Sequence, residues 1–190
     1  PDVWRRVMFS LMLFHATILE RKKFGALGWN IPYEFTDGDR DVCIMQARML
    51  VDEYDEVPWK VLNILTAVVN YGGRVTDTWD IRLIGTMLEA YLNEGVTRDG
   101  YRFTASGAYR SIGASDKQGY LDFVAELPVN AAPEAFGLHD NADITYAQNE
   151  TLHLFATILK LQPRQNVGGG KSRDDVIADV ATDIQVRVPR

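Results

Sequence analysis

The sequence predicts an all-α fold: a helical bundle followed by one or two projecting C-terminal helices. Apolar residues recur at three- and four-residue spacing along most of the 190 residues, the signature of amphipathic helices. Gly, Pro and capping residues interrupt that spacing at helix-length intervals, and no stretch alternates strongly enough to require a hairpin. Helices joined by short loops must bury their apolar stripes on one another, so a bundle follows from the pattern alone.

Trp4, Val7, Met8, Leu11, Phe14, Ile18 and Leu19 lie on one broad face, predicting a first helix that ends near Gly25. A loop rich in aromatic and turn residues, Leu27 to Phe35, comes next. A second helix is expected from about Asp39 to Tyr54, capped by Thr36 or Asp37, with Val42, Met45, Ala47, Met49 and Leu50 as its apolar side. Pro58 suits the first position of a further helix, where a missing N–H costs nothing. That helix runs through Val61, Leu62, Leu65 and Val68 to Gly72 and Gly73. Thr76 or Asp77 caps the next one, whose face is Ile81, Ile84, Leu88 and Tyr91, with Asp77 and Asp80 against its N-terminal dipole.

From Gly95 to Ser115 the chain is rich in Gly and Ser, and a short extended piece fits between Tyr101 and Tyr109. Helical spacing returns over Gly119 to Leu127. Asn130 to Gly137 reads as a turn and a short helix opened by Pro133, and Asp143 to Leu161 as a helix carrying Tyr146, Leu152, Phe155, Ile158 and Leu159, ended by Pro163. Gly168, Gly169 and Gly170 form a flexible link. Ser172 and Asp175 then open a last helix, reaching about Val188, with a variant of the capping box.

Hydrophobic residues at 46% and charged residues at 24% are the composition of a folded globular chain. A chain this long buries about 70% of its unfolded surface, so a hydrophobic core is available. The net charge of −6 argues against nucleic acid as a partner, since phosphate contacts need a surplus of Lys and Arg. Cys43 is the one cysteine, which excludes an internal disulfide and a cysteine-based zinc site and suits a reducing compartment. The most apolar run, Val7 to Leu19, is interrupted by Ser10, His15 and Thr17 and falls short of the about 20 residues that cross a bilayer, so no membrane partner is expected. The chain starts at Pro1 within a helix, as a piece of something longer would.

The search for chemistry yields little. Gly170-Lys171-Ser172 imitates the end of a phosphate-binding loop, but Gln165 stands where its first Gly belongs and no strand precedes it. A linker is the better reading. His15, His139 and His153 fall on different elements, which does not suggest a metal site. The acidic groups Asp37, Asp39, Asp41 and Asp52, Glu53, Asp55, Glu56 lack calcium-loop spacing and read as solvated helix ends. Asn149-Glu150-Thr151 matches a glycosylation sequon inside a predicted helix and is discounted. Cys43 has no His near it in sequence to act as a base, so a buried structural thiol is expected.

Three longer strings are more specific than any helix requires. The first is Glu20-Arg21-Lys22-Lys23-Phe24-Gly25-Ala26-Leu27-Gly28-Trp29-Asn30-Ile31-Pro32-Tyr33-Glu34-Phe35. The second is Asn70-Tyr71-Gly72-Gly73-Arg74-Val75-Thr76-Asp77, followed by Trp79, Asp80 and Arg82. The third runs from Phe136 to Ile144 and is followed by Gln148-Asn149-Glu150-Thr151. In this order they resemble dynein heavy chains, and the wording from Lys23 to Pro32 is more similar to axonemal than to cytoplasmic ones.

The resemblance implies that residues 1–138 are the helical AAA lid of the sixth AAA module and residues 139–190 the start of the C-terminal domain. It further implies a structural, non-catalytic part of a microtubule motor ring, packed against other AAA modules of the same heavy chain and the remainder of the C-terminal domain. No cofactor is expected in this stretch, ATP and Mg belonging to other modules and microtubule binding to a distant stalk. The implied location is the cytoskeleton, in the axoneme of a cilium or flagellum.

In active AAA modules an Arg near the position of Arg74 contacts nucleotide phosphates. Two readings follow. In the first, Arg74 pairs with Asp77 or Asp80, or reaches a neighbouring module, making these three residues structural contacts. In the alternative, Arg74 or Gly170-Lys171-Ser172 serves a nucleotide-responsive element. The sequence favours the structural reading, because a charged residue at a helix start usually finds an ordinary partner.

Overall fold

The computed structural model describes residues 2–113, 115–161 and 172–187. Among these residues the regular structure is helical, and one isolated antiparallel bridge, Arg102 to Arg110, is the only β pairing. The chain divides into two compact units, Pro1–Asp143 and Ile144–Arg190.

The first unit is organised around helix α1, Asp2–Glu20. Val7, Leu11, Phe14 and Ile18 are spaced for one face and are fully or almost fully buried, with Phe9 beside them. The chain continues from α1 as a tight 3-10 turn over Arg21–Leu27, broken where Gly25 adopts φ +56°. A side chain there would be strained, so the predicted helix end at Gly25 is where the turn breaks, while the α-helix itself stops five residues earlier.

Helix α2 spans Asp37–Glu53 and begins with a capping box in which Thr36 and Asp39 satisfy each other's backbone N–H groups. Its buried residues are Cys43, Ala47 and Leu50. Val42, Met45 and Met49, expected on the apolar side, face outward. The correction has a packing cause: the small Cys43 and Ala47 let α2 approach its neighbour closely, and the bulkier side chains are left on the outer flank.

Pro58 is the cap of helix α3, Trp59–Asn63, one place outside the position expected for it. The helix then widens into a π-helical segment, Ile64–Tyr71, and tightens to a 3-10 turn over Gly72–Arg74. A Cβ at Gly72 would lie 2.5 Å from the Ala67 carbonyl oxygen, so this change of winding requires glycine. Asn63, held by Trp59 O and Leu92 O, and Asn70, held by Gln46, pin the two ends of the widened stretch.

Helix α4, Thr78–Tyr91, is capped by Asp77 and buries Asp80, Ile84, Met87, Leu88 and Tyr91. Leu62, Tyr71, Ile84, Leu88, Leu92 and Val96 join the α1 face in one core. Each large side chain taken out of water contributes roughly 1.5–3 kcal/mol. Rings thread through that core, Phe14 meeting Tyr71 at 5.6 Å, Tyr71 meeting Phe35 at 5.7 Å and Phe35 meeting Trp29 at 5.5 Å between centroids.

The glycine-rich stretch after α4 folds back on itself through Gly100 N to Ser111 O, Ser111 N to Tyr101 O and Phe103 N to Tyr109 O hydrogen bonds. Helix α5, Lys117–Glu126, starts on an Asp116 cap, and Pro133 opens a 3-10 turn to Phe136 as expected. Helix α6, Asn141–Leu161, begins in the first unit and continues into the second, which also holds α7, Arg173–Arg187. Ser172 and Asp175 exchange the expected capping hydrogen bonds, at 3.1 and 3.2 Å. Gly168, Gly169, Gly170 and Lys171, read as a link and as part of a phosphate-loop imitation, lie outside the described residues, as does the predicted helix end at Val188.

Candidate functional site

The first two strings singled out in the sequence and Phe136, which opens the third, meet in space. Arg21, the first residue of the 3-10 turn after α1, is 4% exposed, and burial lowers its pKa to about 10 despite the nearby Asp80 carboxylate. Its Nε donates to Gly28 O at 2.7 Å and its Nη1 donates to Phe136 O. The guanidinium also lies 5.7 Å from the centre of the Trp29 ring. Phe24 packs on Phe136 at 5.2 Å, with the Lys23 ammonium 4.8 Å from the Phe136 ring centre. One buried cation thus ties the first string to the third.

The second string is tied to the first by two carboxylates. Asp80 is 2% exposed and accepts from the backbone N–H of Asn30, at 3.1 and 3.2 Å, and of Ile31, at 3.4 Å. Asp77 accepts from the Trp79 and Asp80 N–H groups, at 2.9 and 3.1 Å, capping α4. It also accepts from Asn30 Nδ2 at 3.0 Å, while its own N–H donates to Tyr33 Oη at 3.2 Å. The Asn30 amide and those N–H groups hold the Asp77 carboxyl below the usual range.

Arg74 lies elsewhere in the second string's network. Its Nε is 2.8 Å from the Asp39 carboxylate, and its Nη2 is 3.5 Å from Thr36 Oγ1. Its partner is therefore the capping box of α2, where Asp77 or Asp80 was expected. The physical reason is that Asp77 and Asp80 are already engaged by backbone N–H groups, while Asp39, in the first turn of α2, comes within 2.8 Å of the guanidinium. Burial raises the Asp39 pKa, but Arg74 and the Thr36 donors outweigh that effect and leave it lowered. Arg21, Asn30 and Asp39 were not picked out as contacts from the sequence. Arg21 stood within the quoted first string, but nothing in local spacing assigns a partner more than 100 residues away.

His15 forms a second buried polar centre, between α1, α2 and the π-helical segment. Its Nδ1 is 2.8 Å from Tyr71 Oη, and its Nε2 is 3.7 Å from Asp37 Oδ1. Cys43 is buried beside Asn70 Nδ2 at 3.2 Å, and burial pushes the thiol up to about 11, so it is held protonated as an inert structural group.

A cleft of about 200 Å3 opens between Ile18, Leu19, Lys22 and the stretch Tyr33 to Thr36. That is below the about 300 Å3 at which small-molecule pockets usually begin. Among the described residues no group of three or more His, Cys, Asp or Glu is placed to hold a metal ion, and no helix is long and apolar enough to cross a membrane. The arrangement at Arg21, Asp80 and Arg74 fixes loops to helices. It offers no nucleophile with a base within reach.

Residues 4–142 match the family model described as the dynein heavy chain AAA lid domain. Over 98% of its length the chain is 51% identical to dynein axonemal heavy chain 1 of Rattus norvegicus, and over 98% it is 49% identical to the Homo sapiens protein of that name. Over its full length it is 42% identical to dynein axonemal heavy chain 3 of Mus musculus. The chain spans only 4 or 5% of the length of these relatives.

Proposed function

The chain belongs to the dynein heavy chain AAA lid domain family, and from that premise we propose that it works as a structural element of a microtubule motor ring, packing against neighbouring AAA modules of the same heavy chain and passing on ATP-driven movement. As a lid-domain fragment it is not itself an enzyme. The observation that carries the proposal is the joint at Arg21 and Asp80. Buried charge-assisted hydrogen bonds there fix two long loops against α1 and α4, so the lobe moves as one body rather than flexing between its helices.

Residues 1–138 are assigned to the lid and residues 139–190 to the start of a C-terminal domain. The two compact units and a family match ending at residue 142 support that division. Relatives named as axonemal dynein heavy chains support a place in the axoneme of a cilium or flagellum. ATP, Mg and microtubules are assigned to other parts of the parent chain. Arg74, Asp77 and Asp80 are structural contacts in this reading.

Calorimetric titration of ATP and ADP, with magnesium, into the 190-residue chain tests the proposal. The expected outcome is no heat of binding up to millimolar nucleotide. Saturable binding overturns it in favour of a nucleotide-responsive element, and Arg74 and Lys171 become the first residues to mutate.

A further inference from the structure

Among the described residues His15 is the one buried histidine, and both of its ring nitrogens face groups on other elements. Nδ1 lies 2.8 Å from the hydroxyl of Tyr71, the last residue of the π-helical segment, and Nε2 lies 3.7 Å from the carboxylate of Asp37, the first residue of α2. Two arguments fix which nitrogen holds the proton. Tyr71 is buried, burial pushes the pKa of its hydroxyl up, and among the described residues His15 Nδ1 is its sole hydrogen-bond partner. A buried O–H without an acceptor is costly, so Tyr71 donates and Nδ1 accepts. On the other side Nε2 faces a carboxylate, which attracts an N–H and repels a lone pair. Both arguments place the proton on Nε2.

A second proton has to enter at Nδ1, which turns that acceptor into a donor. Tyr71 must then accept, and its own O–H is left in the core without a partner. The charged faces around the ring do not compensate. Asp37 and Asp39 attract an imidazolium, but Asp37 already pairs with Arg40 and Asp39 with Arg74, each at 2.8 Å, and the Arg40 charge repels it. Asp41 is likewise paired with Arg40, and the Cys43 thiol near Tyr71 stays protonated and uncharged. Burial and Arg40 outweigh the carboxylates, which is why the His15 pKa is lowered.

We propose, resting on the structural reading above, that Asp37, His15 and Tyr71 form a proton-operated latch. One proton, on Nε2, closes the junction of α1 with the start of α2 and the end of the π-helical segment, and a second, on Nδ1, opens it. The opened form takes up that proton first, so closure is complete above about pH 6.5 and weakens as pH falls below it. The joint at Arg21 does not share this response. Its guanidinium, with a pKa of about 10, keeps its charge wherever His15 titrates, so proton uptake loosens one joint of the lobe and leaves the other shut.

The first unit carries its own core, so the 190-residue chain can be used for the test. Imidazole nitrogen NMR at neutral pH, with His15→Gln identifying the resonances, is expected to show Nδ1 of His15 unprotonated and Nε2 protonated. The opposite tautomer overturns the proposal. Amide exchange, corrected for the intrinsic rate at each pH, is expected to show residues 69–74 losing protection ~2-fold between about pH 7.5 and about pH 6, while residues 133–138, held by Arg21, keep theirs. Tyr71→Phe keeps the ring and removes the hydroxyl that a second proton strands, so the loss is expected to shrink in that variant. An equal loss in Tyr71→Phe, or a loss shared by residues 133–138, overturns the latch. These outcomes involve no nucleotide, so they separate from the calorimetric test of the structural reading itself.

Discussion

Helices α1 and α6 are of similar length, 19 and 21 residues, and both carry aliphatic and aromatic residues at helical spacing. Their fates differ. Helix α1 buries nine residues, and Phe14 at its centre meets the rings of Tyr71 and Tyr91, each at 5.6 Å. Ser10 and Thr17 on the same face are satisfied by Tyr91, through its carbonyl and its hydroxyl. On α6 only Ala142 is buried, while Leu152, Phe155, Ile158 and Leu159 remain 47–66% exposed. An apolar stripe shows that a face exists to be covered. Whether it is covered depends on which other elements are present, and α1 has α2, α4 and the π-helical segment around it.

The largest test of that contrast is a pair of identical truncations. Phe14→Ala is expected to lower stability by about 3–5 kcal/mol, as for a ring removed from a packed core. Phe155→Ala is expected to stay within about 0.5 kcal/mol, the usual range for a surface change. Urea denaturation of both variants decides. Similar losses would mean that α6 is packed as α1 is, and the contrast would fail.

A smaller effect is expected where α1 is tied to the third string. Arg21→Met removes the donors to Gly28 O and Phe136 O and leaves two buried carbonyls unpaired, at a cost of about 2–3 kcal/mol. Amide exchange of residues 133–138 should rise with it. Unchanged exchange there would show that Phe24 and Lys23 hold that turn without the guanidinium.

The α1 face also contains a titrating group. Burial lowers the His15 pKa, with the Arg40 charge adding to the effect and Asp37 and Asp39 opposing it. The folded state therefore favours the neutral imidazole. Its contribution is complete above the unfolded value of about 6.5 and is lost as pH falls below it, because the unfolded chain takes up the proton first. His15→Gln is expected to flatten the stability profile just below about pH 6.5. An equal slope in the variant would assign the acid sensitivity to the carboxylates instead.

The smallest expected effect is at Arg74. Its ion pair with Asp39 is half open to water on the Arg side, so Arg74→Ala should cost about 0.5 kcal/mol. In the motor ring proposed above, nucleotide affinity should not change. A matched fall in ATP binding would move Arg74 from structural contact to ligand contact.

Much of the molecule was legible before any coordinates. The cap positions of α2 and α4, each narrowed to two neighbours of which the fold uses Thr36 and Asp77, the Pro133 turn, the Ser172–Asp175 pair and the buried thiol at Cys43 follow from local chemistry, since a cap or a tight turn is decided by a few neighbouring residues. The outward face of α2 was misjudged for the same reason. Val42, Met45 and Met49 are as apolar as a core requires, but close packing against the neighbouring helix selects the smaller Cys43 and Ala47. The π-helical winding of Ile64–Tyr71 had no signal in periodicity, because it is set at its ends by Asn63 and Asn70 reaching Leu92 and Gln46.

By itself, then, the sequence determined the helical class, the element order, most caps and, through its three strings, the family. Those properties rest on interactions between residues close in the chain, or on wording shared with relatives. Tertiary structure alone decided that Arg21 meets Phe136, that Asp80 anchors Asn30, that Arg74 turns to Asp39, and which apolar faces are covered. Each of these pairs residues distant in sequence, and such partners are fixed only once the whole core has set the helices against one another.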